Sequence, residues 1–468
     1  MDDYKILFDL SSSLSQKVQT AQYNASLFEV LSGIDPVKLD GFLYSNEGNL
    51  FSSWQQTQNR AQAIEQAHYF FHEAFAHEKF HLTQLLSFFK VNKLFNRVKK
   101  NYDLFPIDKI FDDVVWRNMF GKHLQCNDRH RVLDKKFYYT DFTRQAQQSV
   151  SCAKKQSYLN TSSYDVVIFP HVSDMRVSAQ SKKIICMPDV LSDSLSAHLL
   201  GDMQRCHLAS HVVCHSSPAR DRLLEFFPAL ETRSYVVPPL LICHDPISQD
   251  QSVLNQIMAA RMSDMFLTSS QKKTIRDSLK DTAQVDYVLH VGSTGSRKNR
   301  EAMIHAWEKL NYQYDNPVRL IIVAEPDFFS QMDHGLQLHV KRGNILLLTN
   351  VNNRELPLLY SQAKLLLHLS LSGEDVAGIL QAIYYQCPVI VADTLDHRWL
   401  LEDAALYCDP SSDSLLAQAM IHLLSSMMDR QDLIEKGVKR SQQFLPEQVA
   451  KQWCKLFQTV VSAKCGVK

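Results

Sequence analysis

Short apolar runs separated by longer polar and amphipathic stretches set the rhythm of this chain. In the second half the runs are Tyr287–Val291, Arg319–Ala324, Ile345–Thr349, Lys364–Leu369 and Pro388–Ala392, each followed by a helix-compatible segment. Near-continuous apolar runs of four to six residues read as strands buried on both faces. Strands alternating with helices at even spacing predict a doubly wound α/β sheet. The first half repeats the type less regularly. Residues 5–10 (KILFDL), 37–44, 164–170 (YDVVIFP), 183–187 (KIICM), 211–215 and 234–237 are its strand candidates. Tyr23 to Leu31 reads as a helix, and Ser11 to Gln22 as a polar loop without glycine. From about residue 60 to 150 the pattern turns helical and aromatic, which predicts an insertion.

Length supports two domains, since 468 residues exceed one ordinary core. Pro238, Pro239 and the polar run His244 to Ser252 mark the boundary. The expected division is 1–240, 241–445, and a last helical segment, 446–468, returning to the first domain. Acids and bases balance at 50 each, so the basic excess of a nucleic-acid binder is missing. No apolar run approaches the roughly 20 residues that span a bilayer. The opening MDDYKILFDLSSS lacks a basic region before its apolar run and reads as a first strand, not a signal peptide. Ten scattered cysteines, several inside strand-like runs, suit reduced core thiols and a cytoplasmic location.

The stretch with the most chemistry is YVLHVGSTGSRKN, Tyr287 to Asn299. A strand gives way to a turn of small residues (Gly292, Ser293), then to Arg297 and Lys298, then to a helix. Backbone N–H groups in such a turn, a helix start and two cations together favour an anion. Gly292, Asn350, the loop Ser370–Asp375 and Asp393 all come after strands, and ligands of doubly wound sheets gather at those carboxyl ends.

The order of these segments resembles a GT-B glycosyltransferase, two Rossmann-like doubly wound domains facing a cleft. More narrowly it resembles the retaining nucleotide-sugar family of the E-x7-E type, family 4 or glycosyl transferases group 1. HVGSTGSRKN resembles that family's phosphate element, LLLTNVNNRELPLLYSQAKLLLHLS its base-contacting loop and helix, and GEDVAGILQAIYYQCPVIVADT its acidic motif. The resemblance implies sugar transfer from a nucleotide-diphosphate donor to an acceptor hydroxyl, with retention and without a metal or other cofactor. No D-x-D occurs in the sequence. Arg297 and Lys298 would neutralise the leaving diphosphate, and Glu374 would bind sugar hydroxyls. Gly292, Ser293 and the N–H groups of Asp375 and Val376 would face the phosphates. Asn350, Val351 and Leu356 would pack the base, and Gln381 would hold the ribose. The implied partners are a nucleotide sugar and a glycan, lipid-linked or protein acceptor, with no nucleic acid. The pattern departs at four points: Gly373 stands where the first acid aligns, Gln381 replaces the second, the glycine-rich loop of the first domain is missing, and Pro188 precedes Asp189 where a histidine is usual. These departures keep a second reading in view, a non-catalytic GT-B partner or scaffold.

Three other constellations compete. His77-Glu78-Lys79-Phe80-His81 is a literal H-E-x-x-H, the spacing of a zinc hydrolase, but Lys79 breaks the usual uncharged centre and no third ligand is apparent. Cys206, His207, His211, Cys214 and His215 straddle a helix end and a strand, so ordinary packing is the plainer reading. The basic aromatic stretch 80–105 suits peripheral contact with an anionic membrane face, or simply an amphipathic helix packed on its own domain.

Overall fold

The computed structural model describes residues 4–11, 18–35, 37–44, 101–102, 104–107, 109, 112–121, 123–124, 128–140, 158–173, 175–187, 210–246, 250–263, 267–280, 286–292, 299–324, 334–371 and 376–462. The chain divides into two compact units. The first comprises residues 1–215, 220–237 and 450–468, and the second 216–219 and 238–449.

The strands of unit 1 are β1 (Tyr4–Asp9), β2 (Val37–Tyr44), β3 (Asn101–Tyr102), β4 (Phe105–Pro106), β5 (Phe137–Thr140), β6 (Tyr158–Leu159), β7 (Val166–Phe169), β8 (Lys182–Met187), β9 (His211–Cys214) and β10 (Ser234–Val236). Eight form one sheet in the order β10-β9-β8-β7-β1-β2-β5-β4, while β3 and β6 pair separately. All neighbours in the large sheet run parallel except β4 and β5. Its central strands are buried along their length, as Val166–Phe169 and Val212–Cys214 show, because helices cover both faces of such sheets. Helix α1 (Val18–Ser32) seats Phe28 among Phe8, Phe120 and Phe137, with ring centroids 5.6 to 5.9 Å apart. This helix begins inside the stretch expected as a polar loop. Its first turn, VQTA, carries too little apolar pattern to be told from a loop in sequence.

The expected helical insertion is only part of what the chain does there. Strand β5 joins the main sheet, with Gly41 beside Phe137 and Tyr44 beside Thr140. Residues 51–100, including His77, Glu78, His81 and most of the basic aromatic stretch, lie outside the described residues. Short tyrosine-rich strands resemble aromatic helix in pattern, and only their pairing separates the two.

Unit 2 holds β11 (Tyr287–Val291), β12 (Arg319–Val323), β13 (Ile345–Leu348), β14 (Leu365–His368), β15 (Val389–Ala392) and β16 (Leu406–Cys408). They form one parallel sheet in the order β13-β12-β11-β14-β15-β16. Helix α2 (Ser217–Phe226) comes between β9 and β10, and α3 (Gln251–Arg261) and α4 (Ser269–Lys280) come between β10 and the first strand of the unit 2 sheet. Within and after the unit 2 sheet come α5 (Arg300–Gln313), α6 (His334–Arg342), α7 (Leu356–Gln362), α8 (Val376–Tyr384), α9 (Leu395–Leu401), α10 (Asp413–Ser425), α11 (Met427–Ser441) and α12 (Pro446–Ser462). Alternate strand residues divide between two cores. Leu289, Ile321, Leu346 and Leu366 pack with α3, α7 and α8. Val288, Leu320, Leu347 and Leu367 pack with α5, α6 and α10. Period-two alternation between two covered faces explains why these strands read as unbroken apolar runs. Side-chain caps start several helices: Thr394 accepts from His397 N, Ser412 from Leu415 N and Ser426 from Asp429 N. Helix α12 buries Val449, Trp453, Leu456, Phe457 and Val460 as one stripe, and its residues from Ala450 onward count with unit 1.

Among the described cysteines, Cys186, Cys214, Cys387 and Cys408 are buried. Among the described residues no helix is long and apolar enough to cross a membrane. Nor do three or more His, Cys, Asp or Glu side chains converge there as metal ligands. Of the cysteine–histidine group, Cys206 and His207 lie outside the described residues. His211 packs its ring 5.8 Å from Tyr235, and His215 places Nδ1 3.0 Å from Val237 O.

Burial holds the His211 imidazole down at about 4, helped by the nearby charges of Lys182 and Arg233. The unfolded chain takes up a proton near pH 6.5 that the folded chain refuses until about pH 4. This histidine therefore lowers stability as pH falls through that window. A His211→Asn variant should show a flatter fall of the urea midpoint between pH 6.5 and 4 than the parent chain. Parallel curves would mean His211 does not titrate as its surroundings dictate.

Candidate functional site

The unit 2 sheet reverses direction between β11 and β14. The chain moves outward through β12 and β13, then returns to lay β14 on the other side of β11. Connections leaving in opposite directions open a crevice at the carboxyl ends of those two strands. Its border among the described residues is formed by Gly292 and Asn299 and by residues 369–371.

Three contacts fix the crevice. Gly292 N–H donates to Val323 O at 3.1 Å, which holds the end of β11 to β12. Asn299 stands just before α5 in the left-handed region, at φ 47°, where asparagine is tolerated better than most residues. Its Nδ2 donates to Leu369 O at 3.0 Å, tying the start of α5 to the end of β14. Gly378 lies in the first turn of α8. A Cβ there would sit 3.4 Å from the Tyr360 hydroxyl and 3.9 Å from Val291 O. The missing side chain lets the start of α8 press against the end of β11. Ser293, Arg297, Lys298, Glu374 and Asp375, which follow β11 and β14 in sequence, lie outside the described residues. The crevice itself is framed by Gly292 and Asn299 on one side and Ser370 and Val376 on the other.

Two strand spacings away, roughly 10 Å, is the loop after β13. Asn350 again has positive φ, at 54°, and Val351 packs against the core below, as does Leu356 at the start of α7. The loop is held by a reciprocal cap. Asn352 Oδ1 accepts from Arg354 N and Glu355 N, and Glu355 Oε2 accepts from Asn352 N at 2.9 Å. Glu355 is buried and bidentate with Arg261: Nε lies 2.9 Å from Oε2 and Nη2 2.7 Å from Oε1. Arg261 belongs to the end of α3, whose continuation lies along β13 through Ser263 N to Leu347 O and Thr349 N to Arg261 O. The hydrogen bond to Glu355 raises the already high guanidinium pKa of Arg261 further. At the end of β15, Asp393 is paired with Arg398 through Nε (2.5 Å) and Nη2 (2.7 Å), and Arg398 covers the Tyr407 ring.

Gly292, Asn350, Val351, Leu356 and Val376 thus fall along one edge of the unit 2 sheet. Gln381 differs. It lies on α8, but its Nε2 donates to Ile242 O at 3.0 Å. Arg261 and Gly378 escaped the reading of the sequence. A lone arginine at a helix end and a glycine within a helix carry no local signal for their long-range partners.

Unit 1 has a switch point of its own between β1 and β7. Asp9 ends β1 fully buried, and His171 comes after β7 with Nε2 3.5 Å from Asp9 Oδ2. Burial raises the Asp9 carboxyl pKa against the opposing pull of His171. Lys183 on β8 donates to Ser173 O at 2.6 Å and Met175 O at 2.7 Å, fixing the loop that carries His171. Asp9 had read only as the end of a first strand.

Comparison with solved structures matches this architecture along nearly its whole length. Sucrose-phosphate synthase from Thermosynechococcus elongatus covers 99% of this chain and 100% of its own, with a TM-score of 0.54 and 13% identity. HepE of Anabaena in complex with UDP and glucose covers 97% and 100%, with a TM-score of 0.54 and 14% identity. The fold is GT-B. In sequence, residues 271–440 of this GT-B chain match the family model of glycosyl transferases group 1. O-antigen chain mannosyltransferase B of Escherichia coli is 25% identical over 165 residues, which are 34% of this chain and 42% of that relative. The match therefore spans less than half of the curated relative's length.

The Arg261–Glu355 pair should be felt in stability. Arg261→Ala leaves a buried carboxylate without its partner, and a charged hydrogen-bonded pair of this kind is worth about 2 kcal/mol. The urea midpoint of the variant should fall accordingly. Unchanged unfolding would show that the loop after β13 holds itself.

Proposed function

We propose that this chain is a glycosyltransferase that moves a sugar from a nucleotide-diphosphate donor to an acceptor hydroxyl, with retention and without a metal ion. The observation that carries the reading is the β11–β14 crevice, which lies inside the segment matching glycosyl transferases group 1. A diphosphate in that crevice meets the start of α8, whose backbone N–H groups and partial positive charge favour an anion. The nucleoside then extends the roughly 10 Å toward Asn350, Val351 and Leu356.

In the proposed reaction the acceptor oxygen bonds to the anomeric carbon as the bond from that carbon to the diphosphate oxygen breaks. The electron pair leaves with the nucleoside diphosphate, and the acceptor proton passes to the departing phosphate oxygen. Arg297 and Lys298 neutralise the charge that develops there, which supports the metal-independent reading. Glu374 binds sugar hydroxyls, and Gly292, Ser293, Asp375 and Val376 offer main-chain groups to the phosphates. A growing glycan is the acceptor class to test first, and a mannose-bearing nucleotide sugar the donor, by analogy with the mannosyltransferase relative. Cysteines buried inside the strands, such as Cys408, support work in a reducing cytoplasm.

A non-catalytic GT-B protein is the rival, and the engagement of Gln381 with Ile242 O favours it. Single-turnover assays with nucleotide sugars separate the two. Arg297→Ala and Lys298→Ala should each cut transfer and donor hydrolysis on the order of 100-fold, the typical loss when one group stabilising a developing charge is removed. Nucleoside diphosphate binding with no turnover of any donor would favour the rival, and full activity in both variants would move the site elsewhere.

A further inference from the structure

Strands β8, β9 and β10 are neighbours in the unit 1 sheet and run parallel. Ile184 pairs with His211, and Val212 with Ser234. Residues in register share a face of the sheet, and side chains alternate along each strand. Lys182, two residues before Ile184, therefore lies on the His211 face. Arg233, one residue before Ser234, lies there too. So does Tyr235, whose ring is 5.8 Å from the His211 ring. Lys182 and His211 open their strands, and Arg233 immediately precedes β10. Basic side chains thus gather at the amino ends of three adjacent strands, at the opposite end of the sheet from Asp9.

Among the described residues of these strands and of β7, no acid shares that face. Strand β7 gives it Val166, β8 adds Ile184 and β9 adds Val213. Asp165, one residue before Val166, turns its Oδ2 to Lys5 N at 3.1 Å. Arg220 of α2 engages the other side of β10, through Ser234 Oγ at 3.0 Å. His211 is buried, and its Nδ1 has no hydrogen-bond partner in the protein. The charges felt at its ring are those of Lys182 and Arg233, and both oppose its protonation. Lys182 and Arg233 are themselves half-buried. Like charges held together in this way repel, and a counter-ion between them turns that repulsion into attraction. Two cations and an imidazole match a dianion better than a carboxylate, and a tetrahedral oxyanion can accept from several donors at once.

We propose that Lys182, His211 and Arg233 form an anion site at the amino edge of the unit 1 sheet, and that its ligand carries a phosphate group. The site is independent of the sugar-transfer reading, which concerns the unit 2 crevice. A bound phosphate sits among the three side chains and offsets the charges that keep His211 neutral.

Thermal unfolding of the full chain at pH 6.5 tests this, in rising inorganic phosphate with sodium chloride adjusted to hold ionic strength constant. At ten times the dissociation constant the parent's melting temperature should rise by roughly 3–6 °C. Lys182→Gln and His211→Asn should each weaken phosphate about tenfold, as loss of one charged hydrogen bond does. Lys182→Arg keeps the charge and should keep the response, which separates loss of the site from loss of the fold. Glycerol 3-phosphate is the second probe. Tighter binding than inorganic phosphate assigns the site to a phosphorylated metabolite, and equal binding assigns it to free phosphate. No rise in the parent overturns the site. The same rise in Lys182→Gln and His211→Asn also overturns it, since phosphate is then acting elsewhere, as at the β11–β14 crevice.

Discussion

The hydrogen bond from Asn299 Nδ2 to Leu369 O ties together two loops that the sheet topology would otherwise let part. Strands β11 and β14 are neighbours, but the chain leaves them in opposite directions. Nothing in the strand ladder itself fixes the distance between the loops at their carboxyl ends. Asn299 supplies that constraint from a left-handed backbone position, and Gly378 supplies a second by letting α8 close on Val291 O. Every functional statement about unit 2 needs the crevice these two residues hold at a set width.

Charge at the same edge is arranged so that little of it opposes an anion. Glu355 and Asp393 are carboxylates near the carboxyl ends of the strands, and each is bidentate with its own arginine. A paired carboxylate contributes far less field than an isolated one. The start of α8 and the cations that the sequence places at Arg297 and Lys298 are then not offset by unpaired acids among the described residues of the crevice.

Much of unit 2 was legible because its strands are buried on both faces. Tyr287–Val291 is the strand its composition indicates, and the next four strands end within a residue of the apolar runs. Strand β16 escaped, since Leu406–Cys408 is three residues of mixed character whose identity rests on pairing with β15. Unit 1 was less legible for the same reason. Strand β5 is recognisable by the register Gly41 to Phe137, not by its own sequence. Buried polar pairs were least legible of all. Asp9 with His171, and Arg261 with Glu355, join residues 162 and 94 positions apart, and no local pattern encodes such a distance.

Helix α8 shows how a motif can keep its place in the chain while one position takes on a further contact. Its first turn carries Gly378, which meets the end of β11, and its last turn and a half carries Gln381, Tyr384 and the adjoining Tyr385, which meet segment 241–244. A nine-residue helix is only about 13 Å long, so both sets of contacts act on one rigid rod. Moving one end moves the other. A side chain at 381 that served both a ligand and the segment would have to be donor and acceptor in opposite directions at once. The carboxamide can do so in principle, but its N–H group is already committed to Ile242, and what remains is an acceptor oxygen. Holding the rod in place at its far end is itself a contribution to the crevice, since the width set by Gly378 depends on where the rest of α8 is anchored.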